Sequence, residues 1–163
     1  MANVTSKCTI TGGNLAVDRP FGWHVWQVYV PAATLTQAQA DTIYMPDHFP
    51  SGTYMLDTRL LLLANAGASS GNYTVVVTSN EYTISTAAYA NAATLLSVTD
   101  IGETTGTLFA AAVATPLTTY TDMYSIDAAT LRGAIGLTIT PASTFTDGAL
   151  TLAVAVLMGR VNY

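Results

Sequence analysis

Apolar and polar residues alternate with a period of two along most of the chain, and the longest such run sets the frame. From Tyr54 to Ala64, successive side chains fall on opposite faces of a pleated strand. Leu56, Thr58, Leu60 and Leu62 share one face; Met55, Asp57, Arg59, Leu61 and Leu63 share the other. The first face is nearly all apolar. The second begins with a charged pair and ends apolar, which predicts cover at one end by another layer or by a partner. Beyond a small-residue loop, Tyr73, Val75 and Val77 alternate with Thr74, Val76 and Thr78, so Phe49 to Thr78 reads as two paired strands.

The same alternation marks further strands. Ser6 to Thr11 forms a short one ending at the Gly12-Gly13 turn. In Phe21 to Val30, Phe21, Trp23, Val25 and Tyr29 lie on one face and His24, Trp26, Val28 and Val30 on the other. Large apolar groups on both faces mean that this strand lies between two layers or presents a tryptophan to a partner. Thr34 to Ala40 suits one helical turn capped by Thr36, and Asp41 to Met45 a short strand closed by Pro46. Ser85 to Ala93 reads as a loop or brief helix, Leu95 to Val98 as a small strand, and Thr99 to Gly106 as a turn cluster. Thr107 to Ala114 and Leu117 to Ile126 are two more strand-like runs, and Asp127 to Gly133 suits a single helical turn. Ala134 to Thr140 is a strand and Pro141 to Gly148 a turn. Ala149 to Met158 closes the chain's pattern, with Leu150, Leu152, Val154, Val156 and Met158 on a fully apolar face and small residues opposite.

About eight to ten short strands with no competing helical period predict an all-β, single-domain β-sandwich over residues 1–163, and the long connections favour a jelly-roll-like arrangement. The Leu56–Leu62 face is expected in the core, packed against the apolar face of Leu150–Met158.

Composition changes the picture at the surface. Charged residues make up 9% of the chain, against about 25% in ordinary soluble domains, and Thr and Ala take their place. A neutral exterior of this kind predicts that much of it meets other protein. Candidate interface residues are Trp23, Trp26, Tyr29, Met55, Leu61 and Leu63. Net charge is −5, and the five basic residues are scattered singly, so no basic patch is available to neutralise phosphate and no nucleic-acid partner is expected. The apolar runs fall short of the roughly 18 to 20 residues of a membrane helix, so no membrane partner is expected either. The first residues, MANVTSKCTI, lack the pattern of a secretory signal, which places synthesis in a cytoplasm. The single cysteine, Cys8, reads as a small packed hydrophobe.

Candidate chemistry is sparse. His24 sits in a strand and His48 beside Asp47 in MPDHFP; both read as structural or solvated, because a closed metal site wants several ligands at suitable spacing. Asp57 and Arg59 read as a surface ion pair. Asp122, Asp127 and Asp147 lie near turns without the alternating acidic loop that calcium needs. With no phosphate-binding glycine motif, nucleophile elbow or zinc motif, neither an enzyme nor a cofactor is expected.

Two segments carry a resemblance. FPSGTYMLDTRLLLLANAGASSGNYTVVV resembles the proline–small residue–glycine turn, long strand, small-residue loop and second strand of small jelly-roll proteins of tailed-phage virions. LTITPASTFTDGALTLAVAVLM resembles their closing strands. The resemblance implies a head decoration, or cement, protein. Such a protein binds the capsid exterior over junctions between major capsid subunits, as a homo-oligomer and commonly a trimer, with the major capsid protein and itself as partners. Net negative charge suits the outside of a particle better than its DNA-facing interior. The rival reading is a carbohydrate- or receptor-binding sandwich of a phage tail or fibre, with Trp23, Trp26 and nearby tyrosines stacking on sugars.

Overall fold

The computed structural model describes residues 2–13, 21–49, 53–65, 73–101, 108–110, 131–142 and 148–160. Ten strands run through them. They are β1 (Ala2–Asn3), β2 (Thr9–Gly12), β3 (Phe21–Val30), β4 (Asp41–Phe49), β5 (Thr53–Asn65), β6 (Tyr73–Thr83), β7 (Ala88–Ile101), β8 (Leu108–Ala110), β9 (Leu131–Pro141) and β10 (Leu150–Arg160), with one 3-10 turn at Thr5–Lys7. They form two five-stranded sheets, in the orders β1-β4-β9-β6-β7 and β2-β3-β10-β5-β8. Without the short N-terminal arms β1 and β2, the remaining eight strands pair as β4-β9-β6-β7 and β3-β10-β5-β8. Successive strands switch sheets at every step except the β6–β7 hairpin, which is a jelly roll.

The expected face assignments hold where strands are straight. Trp26, Val28 and Val30 of β3, Leu60 and Leu62 of β5, and Leu150, Leu152, Val154 and Val156 of β10 are all buried. They meet in cross-strand rows, Val28–Leu152–Leu62 and Trp26–Val154–Leu60. Tyr73, Val75 and Val77 of β6 and Ile135, Leu137 and Ile139 of β9 supply the opposing layer. At about 1.5–3 kcal/mol per fully buried large aliphatic side chain, this double layer is the main stabilising element.

Several expectations on these residues are corrected. The stretch from Phe49 to Thr78 is not a hairpin: β5 and β6 lie in different sheets. Period-two alternation gives a strand an inward face but names no partner. For the same reason the Leu60 face lies beside the Leu150–Met158 face in one sheet, with Leu60 opposite Val154, rather than packing across the sandwich. Pro46 does not close a strand; β4 continues to Phe49 through an irregularity between Tyr44 and His48, where its ladder to β9 is interrupted and no N–H is required of the proline. Finally, β7 runs fourteen residues through the Ala- and Asn-rich stretch read as a loop or brief helix. It carries three register shifts against β6.

The Thr34–Ala40 stretch holds no helix. Gln39 N–H donates to Thr36 O (3.1 Å), Ala38 takes a positive φ of 57°, and Thr36 N–H donates to Asp41 Oδ2 at 2.8 Å. Asp41, only 1% exposed, thus pins this connection to the start of β4. Leu117 to Ile126 and most of the Asp127–Gly133 turn lie outside the described residues; Leu131 to Gly133 is strand. Cys8 packs half-buried against the core with its thiol toward Val4 O, and burial pushes that thiol up to about 11.

The sheets are clasped at one end. The Trp26 indole N–H on β3 donates to Asp47 Oδ2 on β4. Gly13 lies against both groups at φ +88, where a β-carbon would run into the carboxylate and the indole. Its N–H donates to Val25 O (2.9 Å).

Candidate protein-interaction surface

The outer face of the β3-β10-β5 sheet is built by the residues that alternate with the core rows. On β3 these are Trp23 (39% exposed), Val25 (49%) and Tyr29 (42%), large side chains standing out of the sheet, with the exposed polar Gln27 between Val25 and Tyr29. Their register neighbours on β10 are Leu157, Ala155 and Thr151, with Ala153 opposite Gln27. Beyond them on β5 lie Asp57, Arg59 and Leu61, opposite Leu157, Ala155 and Ala153. A ridge on β3 therefore borders a shallow trough over the alanines of β10, and β5 forms the far wall.

Among the described residues the charges on this face are Asp57 and Arg59, and they neutralise each other. Arg59 donates from Nε (3.0 Å) and Nη2 (2.7 Å) to Asp57 Oδ2, while Asp57 Oδ1 accepts Thr58 N–H at 2.8 Å. The expected surface ion pair is thus present, held along one strand.

The six candidate interface residues separate by burial. Trp23 and Tyr29 are exposed on the β3 ridge, Leu61 is half-buried on the β5 wall, and Leu63 is 39% exposed. Trp26 and Met55 have no accessible surface and belong to the core. For Trp26 the alternation already allowed this. Met55 moves because β5 bulges: Leu157 pairs with Asp57 and Met158 with Met55, so Leu56 is an extra residue and the strand below it changes face. A second shift, between the Leu62 and Ala64 pairings, makes Leu63 the extra residue there and leaves it and Ala64 both exposed. Val25, Ala153 and Ala155 complete the face and were not among the candidates. Val25 shares its parity with Trp23 and Tyr29, which was the available signal; the alanines became relevant only once β10 was known to lie beside β3.

A second cluster sits on the outer face of the other sheet. Tyr44 of β4 stacks on Tyr89 of β7 (centroids 3.6 Å apart, planes within 1°), and His48 stacks on Tyr82 of β6 (3.7 Å). Beneath them the buried Asn80 donates to Thr78 Oγ1 (2.9 Å) over Gly136, where a β-carbon would lie 2.7 Å from both side chains. Burial raises the Tyr44 and Tyr89 hydroxyls above the ordinary tyrosine value and lowers His48 below the ordinary histidine value. No sequence spacing reveals this cluster, because its rings come from three strands.

The neighbours Asp47 and His48 do not form a catalytic pair: Asp47 accepts the Trp26 indole, and His48 faces the other way onto Tyr82, with Nε2 3.4 Å from the Tyr89 hydroxyl. His24 packs against both Trp26 and Phe49, its Nδ1 3.3 Å from Gly13 O, and burial lowers it too. No group of three His, Cys, Asp or Glu that could hold a metal occurs among the described residues. No described helix is long and apolar enough to cross a membrane.

Strand order and core thus define a jelly-roll β-sandwich of the type found in viral capsids. Among solved structures the chain is similar to one in the capsid of Ralstonia phage GP4, with TM-score 0.54 and 13% identity over 90% of this chain and 89% of that one. It also aligns, at 13% identity, with chains of infectious bursal disease virus Gx strain (TM-score 0.33) and of the infectious bursal disease virus VP2 subviral particle (TM-score 0.31). It covers 95% and 97% of itself there but 36% and 39% of those chains. No family model and no curated protein matches the sequence.

Proposed function

We propose that this protein is a structural component of a phage virion that binds the outer surface of the capsid and reinforces contacts between major capsid subunits. The observation that carries this reading is the shared fold with a phage-capsid chain, matched over nine-tenths of both chains, so that the two are of similar size. Three further features support it. The exposed face of the β3-β10-β5 sheet is apolar and electrically neutral, as a protein-contact surface would be. The net charge of −5 suits the outside of a DNA-filled particle. Among the described residues, the neighbouring Asp47 and His48 are each engaged elsewhere, Asp47 with the Trp26 indole and His48 with the Tyr82 ring.

The mechanism is additive burial. A rigid sandwich seated across a junction covers surface on two capsid subunits at once, and pressure or heat must then break both sets of contacts before the junction opens. Self-association belongs to the same reading.

The test is sedimentation of purified heads with and without the protein, followed by heating. The protein should travel with heads, and heads lacking it should release DNA at lower temperature. Heads that neither carry the protein nor change in heat resistance when it is absent contradict the proposal.

A further inference from the structure

The ridge and trough on the β3-β10-β5 sheet have a geometric property of their own: they are complementary to themselves. A two-fold axis running along the strands, in the plane of the contact and midway between β3 and β10, turns one copy face-down onto another and lays its β3 over the partner's β10. Rotation about that axis preserves height along the strands, so register partners within one chain become facing positions between chains. Val25 of one copy comes over Ala155 of the other, Gln27 over Ala153, Tyr29 over Thr151 and Trp23 over Leu157. The two alanines of the trough thus lie under Val25 and Gln27, and at one end Trp23 meets Leu157, apolar against apolar, in sheets that pack face to face about 10 Å apart.

Charge points to the same occupant. Each copy carries −5 overall, so two copies repel through most approaches. Among the described residues this face holds one cation and one anion, already bonded to each other. It can meet its own image without placing like charges together. The size is adequate: strands about 4.8 Å apart rising about 3.4 Å per residue give the sheet a flat footprint on the order of 600 Å². Side-chain relief brings this toward the roughly 800 Å² per partner of a stable association.

We infer that the outer face of the β3-β10-β5 sheet is a homodimer interface, with Val25 of each copy seated on Ala155 of the other. This deepens the proposed function, on which it rests for its setting in a virion, by naming the partner of the surface; it assigns a two-fold pair where the family resemblance implies a trimer. The long strand β7, at the edge of its sheet among the described residues, is the weaker contact, because its three register shifts against β6 bend it away from flat pairing.

The experiment measures the mass of the intact purified protein by analytical ultracentrifugation over a dilution series, for the wild type and for Val25→Arg and Ala155→Glu, alone and mixed. Val25→Arg alone buries an unpaired charge twice in the pair and should weaken association by about a hundredfold or more; Ala155→Glu, whose cross-strand neighbour is Arg59, fills the trough under Val25 with a larger, charged side chain and should weaken it as well. The mixture joins one arginine to one glutamate and leaves the other contact native, so equimolar mixing should restore the dimer. A wild type that is monomeric or trimeric overturns the inference, as does a dimer indifferent to both substitutions or one that mixing fails to restore. Head sedimentation is scored separately. A monomeric wild type that still binds heads, and loses them on Val25→Arg, would make a capsid subunit the occupant: the dimer would fall and the proposed function would stand.

Discussion

At the residue scale the alternating pattern makes opposite forecasts for neighbours on β5, and burial agrees with both. Leu60 is fully buried between Val154 and the opposing sheet. Leu60→Asp should therefore cost more than about 4–5 kcal/mol and leave little or no cooperative unfolding transition. Asp57→Ala removes one partner of a partly exposed ion pair and should change stability by about 1 kcal/mol or less. Urea titrations of both variants check this; a Leu60→Asp variant as stable as wild type would mean the two faces are exchanged. The histidines supply a second prediction. Burial lowers His24 and His48 in the folded chain below the ordinary value of 6.5. Once pH falls below about 6.5, the unfolded chain takes up protons that the folded one does not, so stability is lost on acidification from that point down to the lowered native values. Urea midpoints at about pH 7.5 and 5.5 should differ in that direction, and His24→Gln with His48→Gln should flatten the difference.

Elements were legible in the sequence in proportion to how regular they are. The β3 and β10 faces follow strict alternation and could be read directly. The β5 register could be read only between its two bulges, because a bulge inserts a residue without any compositional mark and reverses every side chain beyond it. Alternation therefore places Met55 and Leu63 together, whereas the structure buries the first and exposes the second. Met55→Asp should destabilise the protein nearly as much as Leu60→Asp, and Leu63→Asp should leave the unfolding midpoint close to wild type. Similar behaviour of the two variants would remove the bulge at Leu56. Only Leu95–Val98 of β7 could be read as strand; its first half was illegible for a different reason, because alanine and asparagine have weak strand preference and pairing with β6 holds them extended. Partners, unlike faces, are a property of the whole chain. The apparent β5–β6 hairpin shows this, and so does the tyrosine-histidine cluster, assembled from β4, β6 and β7.

For the whole molecule, strand content and connection length led to a jelly roll, and the strand orders are those of one. The exposed apolar face of the β3-β10-β5 sheet, the proposed contact surface, was half legible. Trp23, Tyr29, Leu61 and Leu63 lie on it or at its border, but its shape depends on β10 separating β3 from β5, which no local pattern states. Low charge and a neutral, largely apolar outer face are the whole-molecule features that support the proposed role in protein contact. Imaging purified heads at low resolution, with and without the protein, tests that claim most directly. Extra density over the junctions between capsid subunits on the outer surface is the predicted result; identical shells, or density confined to the tail, would contradict it.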